Sequence, residues 1–265
     1  VVPEQSFMPN LVCHLLIEKK DEYPLPFYRG KGTCFIIKPD TGFFYNMPNK
    51  IDESEVVAEL ELKKDGTLAG KIKGILRGIG AYYARRNWRK KTKDELKKTF
   101  ETLASRIKIG AKLKDWHIVG LDSILTPVRV EFSFTAKNYI VEQAGEYKYN
   151  FPPNVLQFMY LSGYFGLDKR EYPFTSLSPY SIKYVVHTKL DGYKPTFIPE
   201  KFQETNELAE GNFAVNYKND TLICISVWCF KKGVYHSQDY IKLNELYKGF
   251  VKPKRFVMLK QQENE

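Results

Sequence analysis

The sequence predicts a mostly antiparallel β chain interrupted by a helical insertion around residues 79–108, and three observations carry that fold class. First, Val56, Ala58, Leu60 and Leu62 fall on alternate residues, Asp65-Gly66 supplies a turn, and Leu68, Ile72 and Leu76 resume the pattern. An Asp-Gly pair between two runs of period 2 is a strong hairpin signal, because the turn needs positive φ and each strand needs one apolar face. Second, Val128, Val130, Phe132, Phe134 and Ala136 alternate with Arg129, Glu131, Ser133 and Thr135, the pattern of a strand buried on one side. Third, aromatic residues make up 15% of the chain, with 18 Tyr and 18 Phe, which favours broad sheets over helical bundles.

The elements follow in order. Leu11 to Ile17 reads as a strand; Pro24, Pro26, Gly30 and Gly32 break it. Thr33 to Ile37 and Phe43 to Met47 form a hairpin around Pro39-Asp40-Thr41-Gly42. After the Asp65-Gly66 hairpin, Gly80 to Trp88 lacks proline and β-branched residues, and Thr92-Lys-Asp-Glu95 is a capping box that starts a second helix. Leu96, Phe100, Leu103, Ala104 and Ile107 make one stripe of that helix, read as core, with lysines opposite. The segment from Phe151 to Pro179 holds four prolines and many aromatics without a period, and reads as irregular structure. Ile182 to Leu190, Phe213 to Tyr217 and Leu222 to Phe230 are strands, the last apolar on both faces and hence central. Ser237 is positioned to cap a short helix carrying Tyr240, Leu243 and Tyr247, and Phe256 to Leu259 supplies a final strand.

A length of 265 residues with 43% hydrophobic residues allows one large domain or two modest ones. The formal charge of +10 is concentrated between Arg85 and Asp115, where twelve Lys or Arg stand against four acids. That block is either a surface for an acidic partner or a solvated helix face. The absence of a nucleic-acid motif favours the solvated face, and no nucleic acid is expected as a partner. No run of about 18 apolar residues occurs, so no membrane-spanning helix is expected. The chain begins at Val1 without a methionine or a charged-then-apolar leader, and is expected to be a processed product or an excised piece of a longer protein.

Chemistry is harder to find. Cys13, Cys34, Cys224 and Cys229 include no Cys-x-x-Cys, and the last two point to opposite faces of one strand. Buried free thiols are the favoured reading, with one long-range disulfide left open. The histidines are His14, His117, His187 and His236. Cys13-His14 cannot form a dyad on a strand; Cys34 or Cys229 with His187 or His236 stays formally open against ordinary sheet residues. Gly30-Lys-Gly32 and Gly78-Ile-Gly80 lack the Lys-Ser/Thr of a phosphate loop, although the second precedes a helix whose N-terminus could take an anion. Glu59 and Glu61 share a strand's outward face, which solvation explains. No catalytic, cofactor-binding or metal-ligating residue is assigned.

The motifs taken together resemble a family. Leu25-Pro-Phe-Tyr-Arg-Gly30, Asp65-Gly-Thr-Leu-Ala-Gly70, Gly80-Ala-Tyr-Tyr-Ala-Arg85, Pro127-Val-Arg-Val-Glu-Phe132, Tyr172-Pro-Phe-Thr-Ser-Leu-Ser-Pro-Tyr180, Leu190-Asp-Gly-Tyr193, Ile198-Pro199 and the stretch from Tyr240 to Lys260 resemble the C-terminal β-rich region of bacterial transglutaminase-like proteins. In that family a papain-like Cys-His-Asp core precedes the β-rich domain, and no segment here matches the core. The resemblance implies a non-catalytic accessory β-sandwich, jelly-roll-like, over residues 25–260, with two subdomains meeting near residue 150 as one option. Residues 1–24 would then be a linker or the tail of a missing upstream domain, and 261–265 a polar tail. The implied partner is the chain's own upstream transglutaminase-like domain, itself a transglutaminase-like or protease-like cysteine enzyme; the implied location is extracytoplasmic, periplasmic or secreted. The alternative function is a ligand-binding β-sandwich for glycan or peptide. If an upstream core docks, Phe151 to Phe174 and Val1 to Phe27 are the expected exposed apolar surface.

Overall fold

The computed structural model describes residues 32–38, 41–47, 51–123, 126–157, 165, 167–175, 179–252 and 255–262. Strands β1 (Gly32–Lys38) and β2 (Thr41–Met47) form the expected hairpin, with Lys38 opposite Thr41. The preceding segment, including the strand expected at Leu11 to Ile17, lies outside the described residues. Strands β3 (Asp52–Leu62) and β4 (Leu68–Leu76) pair around Asp65-Gly66, where Gly66 has φ 74° and Asp65 Oδ1 accepts from Thr67 N at 2.9 Å. Every alternate apolar residue expected inward on this hairpin is buried.

The helical insertion consists of α1 (Gly78–Trp88) and α2 (Lys93–Ile107). Glu95 N donates to Thr92 Oγ1 at 3.3 Å while Thr92 N donates to Glu95 Oε2 at 2.7 Å, so the capping box is complete. The five stripe residues of α2 are buried; Lys97 and Lys98 are exposed. The basic block is nevertheless not one helical surface. Lys112 and Lys114 belong to strand β5 (Lys112–Val119), and Arg85 is buried.

Strand β6 (Val128–Ala136) has the expected alternation. Next come β7 (Val141–Gln143) and β8 (Glu146–Asn150), joined through Ala144 and Gly145, both at positive φ. Then follow β9 (Phe174–Thr175), β10 (Tyr180–Leu190), β11 (Tyr193–Phe197), β12 (Phe202–Thr205), β13 (Ala209–Lys218), β14 (Thr221–Phe230) and β15 (Val234–Tyr235). Helix α3 (Asp239–Val251) and strand β16 (Phe256–Gln261) complete the described chain. Helix α3 does not use Ser237 as its cap: the helix starts two residues later, and Asp239 Oδ2 accepts from His236 N at 3.0 Å.

Eight strands form one mixed sheet in the order β12-β13-β14-β10-β3-β4-β6-β5. All neighbours are antiparallel except β10 and β3, which run parallel with Tyr180 beside Asp52 and Leu190 beside Leu62. A parallel pair requires a long crossover, here one that contains β4, the helical insertion and strands β5 to β9. A second, antiparallel sheet has the order β11-β16-β8-β7. Its Tyr149, Val257 and Leu259 share one buried cluster with Leu62, Val186 and Leu190 of the large sheet, and Tyr149 Oη lies 2.7 Å from Thr188 Oγ1. The result is a mainly β, sandwich-like fold. Helix α1 packs on β3, β4 and β6, α2 on β5 and β6, and α3 on β12 and β13.

The outer face of the large sheet is polar in its β3, β4 and β6 half. Lys183–Glu55 at 2.9 Å, Lys73–Glu59 at 2.8 Å and Lys71–Glu131 at 2.8 Å are partly exposed pairs, each worth about 0–1 kcal/mol. The segment following β8 departs from expectation. Pro152, Val155, Leu156, Phe165 and Phe174 are buried, and Phe165 stacks on Tyr247 at 4.3 Å, so these described apolar residues belong to the core and not to an exposed docking patch. Tyr172 and Leu167 are its exposed apolar residues among those described. Val1 to Phe27, the other expected patch, lies outside the described residues.

Candidate functional site

Three strands build one wall of a hollow. Register places Phe213, Ser226 and Tyr184 in one row across β13, β14 and β10, and Gly211, Trp228 and Ile182 in the next. A small Ser226 between two large rings leaves space that a sheet of uniform side chains would fill. The segment from Phe151 to Gln157, the end of α3 and the start of β16 close over it, enclosing a cavity of about 320 Å³.

One cation faces this cavity. The Arg255 guanidinium carbon lies 3.7 Å from the Phe213 ring centroid and 4.7 Å from that of Phe250, and Nη2 donates to Phe250 O at 2.6 Å. Guanidinium on an aromatic face is a favourable but modest contact. Among the described residues no carboxylate pairs with Arg255, and burial pushes its pKa below the ordinary arginine range. Trp228, 2% exposed, also lines the cavity, and its buried indole Nε1 has no acceptor among the described residues. The Tyr184 hydroxyl is pushed well above the ordinary tyrosine value by burial, and donates to Pro153 O at 3.5 Å.

Cys224 lines the same wall and is free, its thiol pushed up to about 12 by burial. Among the described residues no histidine, aspartate or glutamate is part of the lining. Cys229 is also free and buried, on the opposite face of β14, with its thiol pushed up to about 11. Its cross-strand neighbour is Ser181, six residues along β10 from His187, or about 20 Å, so Cys229 and His187 form no dyad. The side chains of Cys13 and Cys34, and His14, lie outside the described residues. His117 is exposed on β5, and His236 precedes α3.

The other positions weighed from sequence have structural explanations. Glu59 faces outward as expected, and its hydrogen bond with Lys73 holds the carboxyl below its ordinary value. The start of α1 packs on β3: Arg77 N donates to Ser54 Oγ at 3.0 Å, and a Cβ on Gly80 would sit 3.0 Å from the same oxygen. That leaves no anion-sized space at Gly78-Ile-Gly80. Among the described residues no cluster of three His, Cys, Asp or Glu could hold a metal ion.

The two raised thiols give a pH dependence. A group whose folded pKa lies above its unfolded value stabilises the fold fully below the unfolded pKa and loses that contribution as pH rises through the folded one. With ordinary thiols at 9.0 and folded values near 12 and 11, stability falls with rising pH across that window. The buried Tyr149 and Tyr184 hydroxyls, raised in the same direction, add to the fall. Urea titrations from pH 8 to pH 11 are expected to show it, and a flat profile would contradict the burial of these groups.

No curated protein matches this chain. A crystal structure described as that of "a putative protease" from Parabacteroides distasonis ATCC 8503 is similar over 44% of this chain and 24% of that one, with 13% identity and a TM-score of 0.38. This chain therefore corresponds to about a quarter of the length of that protein. Residues 146–256, which include every residue lining the cavity, match the family model described as "Domain of Unknown Function with solved-structure structure" (DUF3858).

Proposed function

We propose that the chain is a non-catalytic accessory domain of a transglutaminase-like protein, one that holds a ligand for a catalytic partner instead of transforming it. The observation that carries this reading is the chemistry of the cavity. Its thiol is protonated at neutral pH, and its described lining offers no imidazole or carboxylate to take a proton from it. A cysteine nucleophile needs a neighbouring base or a depressed pKa, and Cys224 has the reverse. The upstream catalytic partner and the periplasmic or secreted location rest on the resemblance of the motifs.

The expected result is no turnover by the purified chain on glutamine-donor or peptide-amide substrates, and identical traces for Cys224→Ser. Iodoacetamide is expected to label neither Cys224 nor Cys229 without denaturant. Turnover lost in Cys224→Ser, or rapid native labelling of Cys224, would overturn the non-catalytic reading.

A second reading, a ligand-binding β-sandwich for glycan or peptide, is favoured by the same cavity. Small-molecule sites are mostly apolar hollows with a few placed polar groups, and their volumes start at about 300 Å³. The aromatic walls with Arg255 and the Trp228 indole N–H meet that description.

A further inference from the structure

The charged groups of this cavity are unbalanced in one direction: its described lining holds Arg255 and no acid. Arg255 brings five N–H donors, of which the one to Phe250 O has an acceptor among the described residues. Arg255 is half-buried, so its remaining N–H groups are open to an acceptor that arrives from outside. Among the described residues no acidic side chain lines the cavity to compete for that role.

The remaining walls are mostly apolar, with Asn154, Gln157, Ser226 and Tyr184 as further polar residues. Phe151, Pro152, Ile182, Phe213 and Phe250 offer rings and aliphatic surface with no carboxylate that would welcome an ammonium group. A neutral sugar carries many hydroxyls that donate as well as accept, and most would be stranded against such walls. A carboxylate accepts only, binds a guanidinium fork through two parallel hydrogen bonds, and leaves the rest of its molecule free to be apolar. At about 320 Å³ the cavity suits a body the size of one large side chain.

We infer that the cavity binds a carboxylate carried on a small aromatic or branched apolar body, with Arg255 holding the carboxylate and the Trp228 ring forming part of the wall around that body. This rests on the ligand-binding reading and narrows it: the chemistry is that of a free apolar acid or of a peptide's C-terminal residue, not of a neutral glycan.

The test uses matched probes on the intact chain. N-acetylphenylalanine and its primary amide differ only at the carboxylate, and the Trp228 indole N–H resonance, assigned with Trp228→Phe, reports occupancy directly. The acid is expected to shift that resonance and to bind about ten-fold or more tightly than the amide, since a hydrogen-bonded charge pair is worth at least that factor. Arg255→Met, checked for an unchanged fold by its spectrum, is expected to abolish the preference. 3-Phenylpropionate distinguishes the sources: affinity equal to that of the acetylated acid indicates a free acid, and weaker affinity indicates a peptide end. Equal binding of acid and amide would overturn the carboxylate inference and leave a ligand-binding cavity standing. No shift with any probe at millimolar concentration would overturn both.

Discussion

Phe100→Ala is expected to lower the stability of this domain by about 3–5 kcal/mol, the range for truncating a fully buried aromatic ring. Phe100 is 0% exposed and sits where α2 meets the sheet. Its ring stacks on Trp116 of β5 at 5.0 Å and lies 5.8 Å from both Trp88 of α1 and Phe132 of β6. Removing it therefore opens a hole shared by two helices and two strands. Trp88 and Phe132 are themselves buried and held by other neighbours, so collapse around the hole is limited. The matched control is Lys97→Gln with Lys98→Gln on the exposed side of the same helix, where a change within about 0.5 kcal/mol is expected. Urea denaturation of both variants measures the difference. Equal losses would mean that the basic face, and not the aromatic stripe, anchors the insertion.

The contrast within α2 also shows which parts of the structure are legible in one dimension. Its capping box and stripe are local signals, settled within fifteen residues, and both hold. The β3–β4 hairpin and β6 are legible for the same reason: one buried face imposes period 2, and each turn or neighbour is close in sequence. Strand β5 escapes because it is a mostly exposed edge strand. A register shift between Leu113 and Asp115 also breaks the alternation of its inward residues Leu113, Trp116 and Ile118. The β7–β8 hairpin turns through Ala144 at φ 52°, a residue type that gives little warning of positive φ. The parallel pairing of β3 with β10 joins residues well over a hundred positions apart, and no local pattern encodes it.

The candidate site is harder to read than the fold because no single segment contains it. Its walls come from β10, β13, β14, the end of α3, the start of β16 and the proline-rich stretch after β8. That stretch has apolar residues without a period, which sequence alone assigns to an exposed patch. In the structure the described part from Phe151 to Gln157 is irregular and closes over the sheet, with Pro152, Val155 and Leu156 buried. One trace was available: among the inward positions of β14, Cys224 and Ser226 are small where Leu222, Trp228 and Phe230 are large. Arg255 gave none, since an arginine following Lys254 reads as surface charge.

Arg85 makes the same point with a larger energy attached. By sequence it belongs to the basic block; in the structure it is 6% exposed. Its Nε and Nη2 donate to Gly120 O at 3.1 and 3.0 Å, and Nη2 donates also to Thr126 O. Gly120 reaches that position at φ 84°, where a Cβ would lie 2.4 Å from Pro127 O. One guanidinium thus ties α1 to the connection between β5 and β6, near the C-terminal end of the helix, where the dipole favours a cation. Burial is the first cause and Arg89 the second of its lowered pKa, so the charge is held by carbonyl dipoles without an acidic partner among the described residues. Arg85→Met is therefore expected to cost about 3–4 kcal/mol, because charge-assisted bonds vanish and two carbonyls lose their donor. Arg85→Lys is expected to recover less than half of this, since a single ammonium cannot reproduce a fork that spans both carbonyls. Arg86→Met, one residue on and exposed, is expected to change stability by about 0.5 kcal/mol or less. Chemical denaturation of the three variants decides the matter: if Arg85→Met behaves like Arg86→Met, the guanidinium is a passenger in that corner and the helix is held by its apolar face alone.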